Sequence, residues 1–198
     1  AFHGGSDTKV YALPLVDVEW RGAVFASTQR GLGMNWIRKR QTVAGPRLTI
    51  DWGRKPSDDI RLTNTTEIKR SLEAGAFFVH YAGPWRFDGD LRKGVSTGHK
   101  GIRASLGAAI GGRLSEASTL IVGSSLQYTG KKYNDAYYSE KGGGLTGLGI
   151  YSDIIREVGD GGYVGLSVRA DVILGAAKKA VFTEDNQYFA GMVAGVRF

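Results

Sequence analysis

The sequence predicts an all-β chain, closed into an antiparallel up-and-down transmembrane β-barrel of about 12 strands. Three observations carry that reading: side chains alternate apolar and polar in segment after segment, tight turns alternate with long polar connections, and the polar strand face is charged with arginine and acids but not lysine. A period of two belongs to a strand whose two faces meet unlike surroundings. The 198 residues suit a single domain over 1–198, and 30 glycines with only 4 prolines suit closely packed, tightly turned strands. No cysteine is present, which excludes disulfides and thiolate metal sites. No apolar run approaches the ~18 residues that mark a membrane-spanning helix.

Each strand justifies itself in turn. "VYALPLVDVEW" (10–20) sets Asp17 and Glu19 against Val16, Val18 and Trp20. "RLTIDW" (47–52) sets Arg47, Thr49 and Asp51 against Leu48, Ile50 and Trp52. In "RFDGDLR" Arg86, Asp88, Asp90 and Arg92 oppose Trp85, Phe87 and Leu91. "IRASLGAAIGGR" places Leu106 and Ile110 on one face, Arg103 and Arg113 on the other. "YVGLSVRADVIL" separates Val164, Leu166 and Val168 from Tyr163, Arg169 and Asp171. The last segment, "QYFAGMVAGVRF", ends Met192, Val196, Phe198 on its apolar face and Arg197 on its polar one.

Tight turns are expected near 20–23, 38–41, 82–85, 114–117 and 158–162. Longer connections are expected at 3–8, 27–31, 54–69, 93–100, 130–144 and 175–186. That alternation is the meander of a barrel with short turns at one end and long loops at the other. Eleven strands can be counted. A twelfth, of which only Ala1 and Phe2 remain here, is expected to precede them, the chain reading as a mature or truncated start. No segment has a convincing helical period.

Charge chemistry decides which face is outside. A soluble barrel lines its interior with the apolar face, and a membrane barrel inverts the order. All 11 lysines fall in loops, turns or strand ends. The mid-strand charges are Asp17, Glu19, Arg47, Asp51, Glu73, Arg86, Asp88, Asp90, Arg92, Arg103, Arg113, Asp153, Arg169, Asp171 and Arg197, a near balance of sign. Arginine's planar fork suits bidentate pairing inside a lumen. The opposite face, with Leu48, Ile50, Leu106, Ile110, Val164, Leu166, Val168, Met192, Val196 and Phe198, carries no mid-strand charge, as hydrocarbon requires. Trp20, Trp36, Trp52, Trp85 and Tyr128 fall towards strand ends, where interfacial aromatic girdles lie.

At "GSD" (5–7), "LPLVDVEW" (13–20), "QRGLG" (29–33), "DWGRKPSDD" (51–59), "YNDAYY" (133–138) and the strand ending in Phe198, the sequence resembles the MipA/OmpV family of Gram-negative outer-membrane proteins. The resemblance implies a cleaved signal peptide, a cell-outer-membrane location and a C-terminus at the periplasmic rim. It also implies a scaffold joining a lytic transglycosylase to a penicillin-binding peptidoglycan synthase. "SEKGG" (139–143) departs from the family pattern, so loop specificity does not transfer.

Sites are sparse. His80 sits on the lipid-facing phase, and His99 in a long loop reads as a solvated side chain without an acidic partner. "GGGLTGLG" (142–149) lacks the lysine and hydroxyl of a phosphate loop, so its glycines read as strand-packing residues. No constellation points to catalysis, a cofactor or a metal, and nothing resembles a nucleic-acid patch. Lys131, Lys132, Lys178 and Lys179 could meet lipopolysaccharide phosphates beside the outer-membrane lipid, and Arg38, Lys39 and Arg40 periplasmic partners. The resemblance therefore implies a non-enzymatic scaffold, and the residues a lumen neutralised by its own charges. A narrow porin-like channel for small solutes or ions, and a loop-based adhesin, stand as alternatives.

Overall fold

The computed structural model describes residues 14, 16–58, 60–63, 65–180 and 183–196. Alternating sequence becomes antiparallel sheet: β1 (Asp17–Trp20), β2 (Val24–Ser27), β3 (Gly31–Met34), β4 (Ile37–Lys39), β5 (Thr42–Asp51), β6 (Ser71–Ala82), β7 (Trp85–Gly94), β8 (Ile102–Ser115), β9 (Ser118–Thr129), β10 (Gly144–Val158), β11 (Gly162–Ile173) and β12 (Asn186–Val196). All belong to one sheet in which neighbours in sequence are neighbours in space, with β4 alone off the main path. β3 pairs with Arg47 and Leu48 of β5, and β4 with Thr42–Ala44 of the same strand, so the two act as one interrupted strand. The path accordingly has eleven positions, the number counted from sequence. Among the described residues no ladder joins β12 to β1.

The connections segregate as the meander requires. Tight turns follow β1, β4, β6, β8 and β10, while the connections after β5, β7, β9 and β11 leave from the opposite end. The connection after β2 is shorter than its polar sequence suggested, only residues 28–30. Gly162, just past a tight turn, pairs with Val196, so β12 ends at the short-turn end. Arg197 and Phe198 lie outside the described residues, as does most of the expected first strand before Asp17.

Two long connections contain what the period analysis missed, namely short helices: α1 (Lys131–Tyr138) and α2 (Gly175–Lys179). Helix α1 exposes Lys131, Lys132 and Asp135 and buries Tyr133, Asn134, Tyr137 and Tyr138. Eight residues between Gly130 and Ser139 are too short to stand out as a helical period against strands. Tertiary packing supplies the stability: the three tyrosines join Ile68, Ile173, Ala177 and Ala180 in an apolar core at the long-loop end.

The sheet's two faces behave oppositely. Every residue assigned to lipid that is described is solvent-exposed, from Ile110 at 41% to Met192 at 88%. Trp20, Trp36, Trp52, Trp85 and Tyr128 are exposed as well. The polar face is concave, because its side chains reach past intervening strands. Arg47 of β5 pairs with Asp90 of β7 at 2.5 Å, and Arg103 of β8 with Asp51 of β5 at 3.1 Å. Arg86 of β7 donates to the Tyr151 hydroxyl of β10 at 3.2 Å. On the same face Phe25 of β2 stands edge-on to Phe77 of β6 at 5.5 Å. Large inner side chains need small neighbours, and Tyr151 lies directly over Gly123, where any Cβ would strike its ring.

Candidate functional site: the capped inner face

The period of two delivers Asp51 and Glu73 to the inner face at the long-loop ends of β5 and β6, and Arg92 and Arg103 to the facing ends of β7 and β8. Asp51 accepts hydrogen bonds from the Gly53 amide at 2.9 Å, from Arg103 at 3.1 Å and from the Tyr137 hydroxyl. Glu73 is fully buried and accepts from the Thr49 hydroxyl at 3.0 Å and from Arg92 at 3.1 Å. Arg92 also bonds Asp90, which in turn pairs with Arg47. Three carboxylates and three guanidiniums thus neutralise one another in a chain whose Asp51 and Glu73 are buried and whose other members are half-buried, the condition under which buried ions are tolerated.

The seventh member overturns an expectation. His99 is buried, not solvated, and its Nε2 stands 3.2 Å from Glu73 and 3.6 Å from Asp51. Burial lowers the pKa of its imidazolium, but the two facing carboxylates prevail and hold it above the ordinary histidine value. Its carbonyl accepts from the Ser71 hydroxyl at 3.1 Å, which fixes the loop. Asp51, Glu73 and His99 bring their ligand-type atoms within 4.8 Å of one another. The Arg103 guanidinium already stands against the Asp51 oxygen that a cation would take.

Helix α1 lies on this cluster as a lid. Tyr133 and Tyr137 stack at 4.4 Å, and His99 meets both rings edge-on, at 4.8 and 5.9 Å. Arg103 sits over the Tyr133 ring at 5.2 Å. Any side chain at Gly101 would collide with the Tyr133 backbone, so that glycine is what allows the helix to approach. The lid is pinned at two more points: Arg54, itself buried, donates to the Tyr137 carbonyl at 2.6 Å, and the Thr129 hydroxyl bonds Asn134. Burial raises the pKa of the Tyr133 and Tyr137 phenols and pushes that of Tyr138 up to about 12, so all three stay neutral hydroxyls.

Beyond the lid, the inner face between β7 and β12 encloses a polar cavity of about 400 Å³. Arg169 is held by Asp171 at 2.6 Å and by the Ser125 hydroxyl at 2.8 Å, while Asp153 accepts from Ser167 at 2.5 Å. Not every predicted inner charge joins in. Asp17 and Glu19 are exposed and meet Arg30. Arg113 is exposed at the short-turn end, where it donates to the Glu116 carbonyl. Sequence reasoning missed His99 and the α1 tyrosines. The available signals were the four-residue spacing of Tyr133 and Tyr137, and inner carboxylates ending two strands beside the histidine's loop.

The profile of one protein family, the MltA-interacting protein MipA, matches residues 1–198, the whole chain. The chain belongs to that family. No curated protein and no solved structure matches it. Membership agrees with the resemblance read from "LPLVDVEW" and "YNDAYY", and the all-β sheet fits the barrel expected of such a protein. The family's printed name is that of a protein that interacts with MltA.

Proposed function

We propose that this protein is a Gram-negative outer-membrane β-barrel, sealed at its long-loop end, that serves as a non-enzymatic scaffold for periplasmic peptidoglycan enzymes. The observation that carries the reading is the lid: α1 packs three tyrosines onto a buried network of paired charges where an open pore would need water. Lipid around the barrel accounts for the exposed apolar face. In hydrocarbon an unpaired strand edge costs several kcal/mol per group, so the sheet closes. In the eleven-position path β1 and β12 run parallel, and one further strand between them makes every neighbour antiparallel, as bacterial barrels are built.

With the C-terminal strand ending at the periplasmic rim, the short turns face the peptidoglycan. There Arg38, Lys39 and Arg40 are exposed, and Arg38 is steadied by the Arg21 carbonyl at 2.7 Å. This basic rim is the docking surface offered to a lytic transglycosylase or a penicillin-binding protein. Lys131 and Lys132 on the outer surface of the lid offer the opposite rim to lipopolysaccharide. Two measurements test the reading. In a planar bilayer the protein is expected to give no discrete openings, and openings that shift on Arg103 or Asp88 substitution would overturn the sealed barrel. In surface plasmon resonance, an immobilised lytic transglycosylase is expected to capture the protein, and to lose it when residues 38–40 become serine. Undiminished capture would place the docking surface elsewhere, and no capture would overturn the scaffold.

A further inference from the structure

The cavity on the inner face is not explained by a scaffold. At about 400 Å³ it matches sites that hold small molecules, and its chemistry is asymmetric. Arg86, Arg92, Arg103 and Arg169 line it, whereas of the inner carboxylates only Asp88 and Asp153 do. The carboxylates that neutralise Arg92, Arg103 and Arg169, namely Glu73, Asp90, Asp51 and Asp171, do not line it. A molecule inside therefore meets guanidinium edges first.

Three further groups converge on the β10–β12 wall. Tyr151, Arg169 and Phe189 are cross-strand neighbours in one row, and Asp153, Ser167 and Gly191 form the next. The Phe189 ring leans over Gly191, where a Cβ would come within 2.8 Å of it. Phe189 is 58% exposed, which leaves an apolar platform open to the cavity. Beside it, Asp153 has no arginine or lysine within ion-pair distance among the described residues, and accepts only from Ser167. An unshielded carboxylate and a serine suit ligand hydroxyls, an aromatic face suits the C–H face of a ring, and guanidinium suits a carboxylate or phosphate.

We infer that this cavity is a binding site for a small hydroxylated anion of the sugar-acid or sugar-phosphate class. At its long-loop side the cavity adjoins the lid through Arg103, which sits over the Tyr133 ring. Its lining runs from Arg103 and Thr129, at the long-loop ends of β8 and β9, to Arg86 near the start of β7. The inference rests on the concave face and its lid, and is independent of any protein partner.

Calorimetric titration of the full chain, refolded in detergent, tests it with galacturonate, glucose 6-phosphate, galactose, acetate and inorganic phosphate as probes. Galacturonate or glucose 6-phosphate is expected to bind at least about tenfold more tightly than galactose, acetate or phosphate, a difference of roughly one guanidinium–anion hydrogen-bonded pair. Arg169→Gln is expected to weaken that binding about tenfold and Asp153→Asn several-fold, with circular dichroism unchanged. Phe189→Ala, which alters no charge, is expected to weaken the sugar anions and leave acetate untouched, and serves where Arg169→Gln does not refold. Binding of galacturonate no tighter than acetate, or binding indifferent to Phe189→Ala and Asp153→Asn, overturns the site. Loss of capture by the transglycosylase with sugar-anion binding intact would count against the scaffold alone.

Discussion

The inner face carries the same residue types along its whole width, yet its two halves are different environments. Across β5–β8, at the long-loop end, Glu73, Asp51 and His99 are buried beneath α1 and every charge meets an opposite one. Across β9–β12 Arg169–Asp171 is the one ion pair among the described residues, and Asp153 and Phe189 face an open cavity. The difference lies in what covers the residues, because one lid of eight residues makes half of the face an interior. A buried, neutralised network is costly to break, while an open one is free to bind.

The comparison breaks first at Glu73. Glu73→Ala would leave His99 and Arg92 facing an empty site, and removing one partner of a buried ionic set costs about 3–5 kcal/mol. Asp153→Ala, on the open half, is expected to cost under about 1 kcal/mol, since it loses one serine hydrogen bond. Urea unfolding in detergent micelles, followed by tryptophan fluorescence, measures both. Equal losses would mean the two halves are alike after all.

Next in size is the lid itself. Tyr137→Ala removes a buried stacked ring and a hydrogen bond to Asp51, for a loss of about 3–5 kcal/mol confined to α1 and its loop. Tyr137→Phe keeps the stack and is expected to cost about 1 kcal/mol for one lost hydrogen bond, since the Gly53 amide still reaches the same Asp51 oxygen. Hydrogen exchange of residues 131–138 separates local opening from global unfolding. If Tyr137→Ala leaves that protection unchanged, the tyrosine stack does not hold the lid.

Much of this was legible in the sequence and some of it was not, for physical reasons. The strands, their faces and the short-turn end followed from the period of two, because each side chain's environment is set by its parity. The pairing of Arg47 with Asp90, or Arg103 with Asp51, was legible only as a tendency, since partners two or three strands apart depend on the curvature of the sheet. His99 was misread for the same reason. A loop residue looks solvated until the loop folds inward, and Ser71 and the tyrosines that draw it in lie far away in sequence. Arg197 and Phe198, read as a lumen charge and a lipid-facing terminus, lie outside the described residues, so the final strand was legible only as far as Val196.

Protonation of His99 gives a smaller and sharper effect. Its pKa is raised in the folded chain by the facing Asp51 and Glu73 carboxylates, which outweigh its burial. A raised folded-state pKa contributes stability that is fully present below the unfolded value of about 6.5 and is lost as pH rises through the folded value. Urea midpoints should therefore fall as pH rises above about 6.5, and His99→Gln should flatten that slope. A midpoint that rises with pH below about 6.5 and is flat above it would mean the imidazole is buried neutral.

The smallest effect concerns Arg113, placed by the period of two among the lumen charges. It is exposed at the short-turn end, near a register shift in β8, and donates only to the Glu116 carbonyl. Arg113→Ala is accordingly expected to shift stability by no more than about 0.5 kcal/mol. Arg103→Ala, ten residues earlier on the same inner phase, should cost about 3 kcal/mol or more, because Asp51 and Glu73 would lose a cation they are buried against. The pair varies position along one strand while holding residue type and face constant. A loss at Arg113 as large as that at Arg103 would mean that the buried network runs the full length of β8 instead of stopping under the lid.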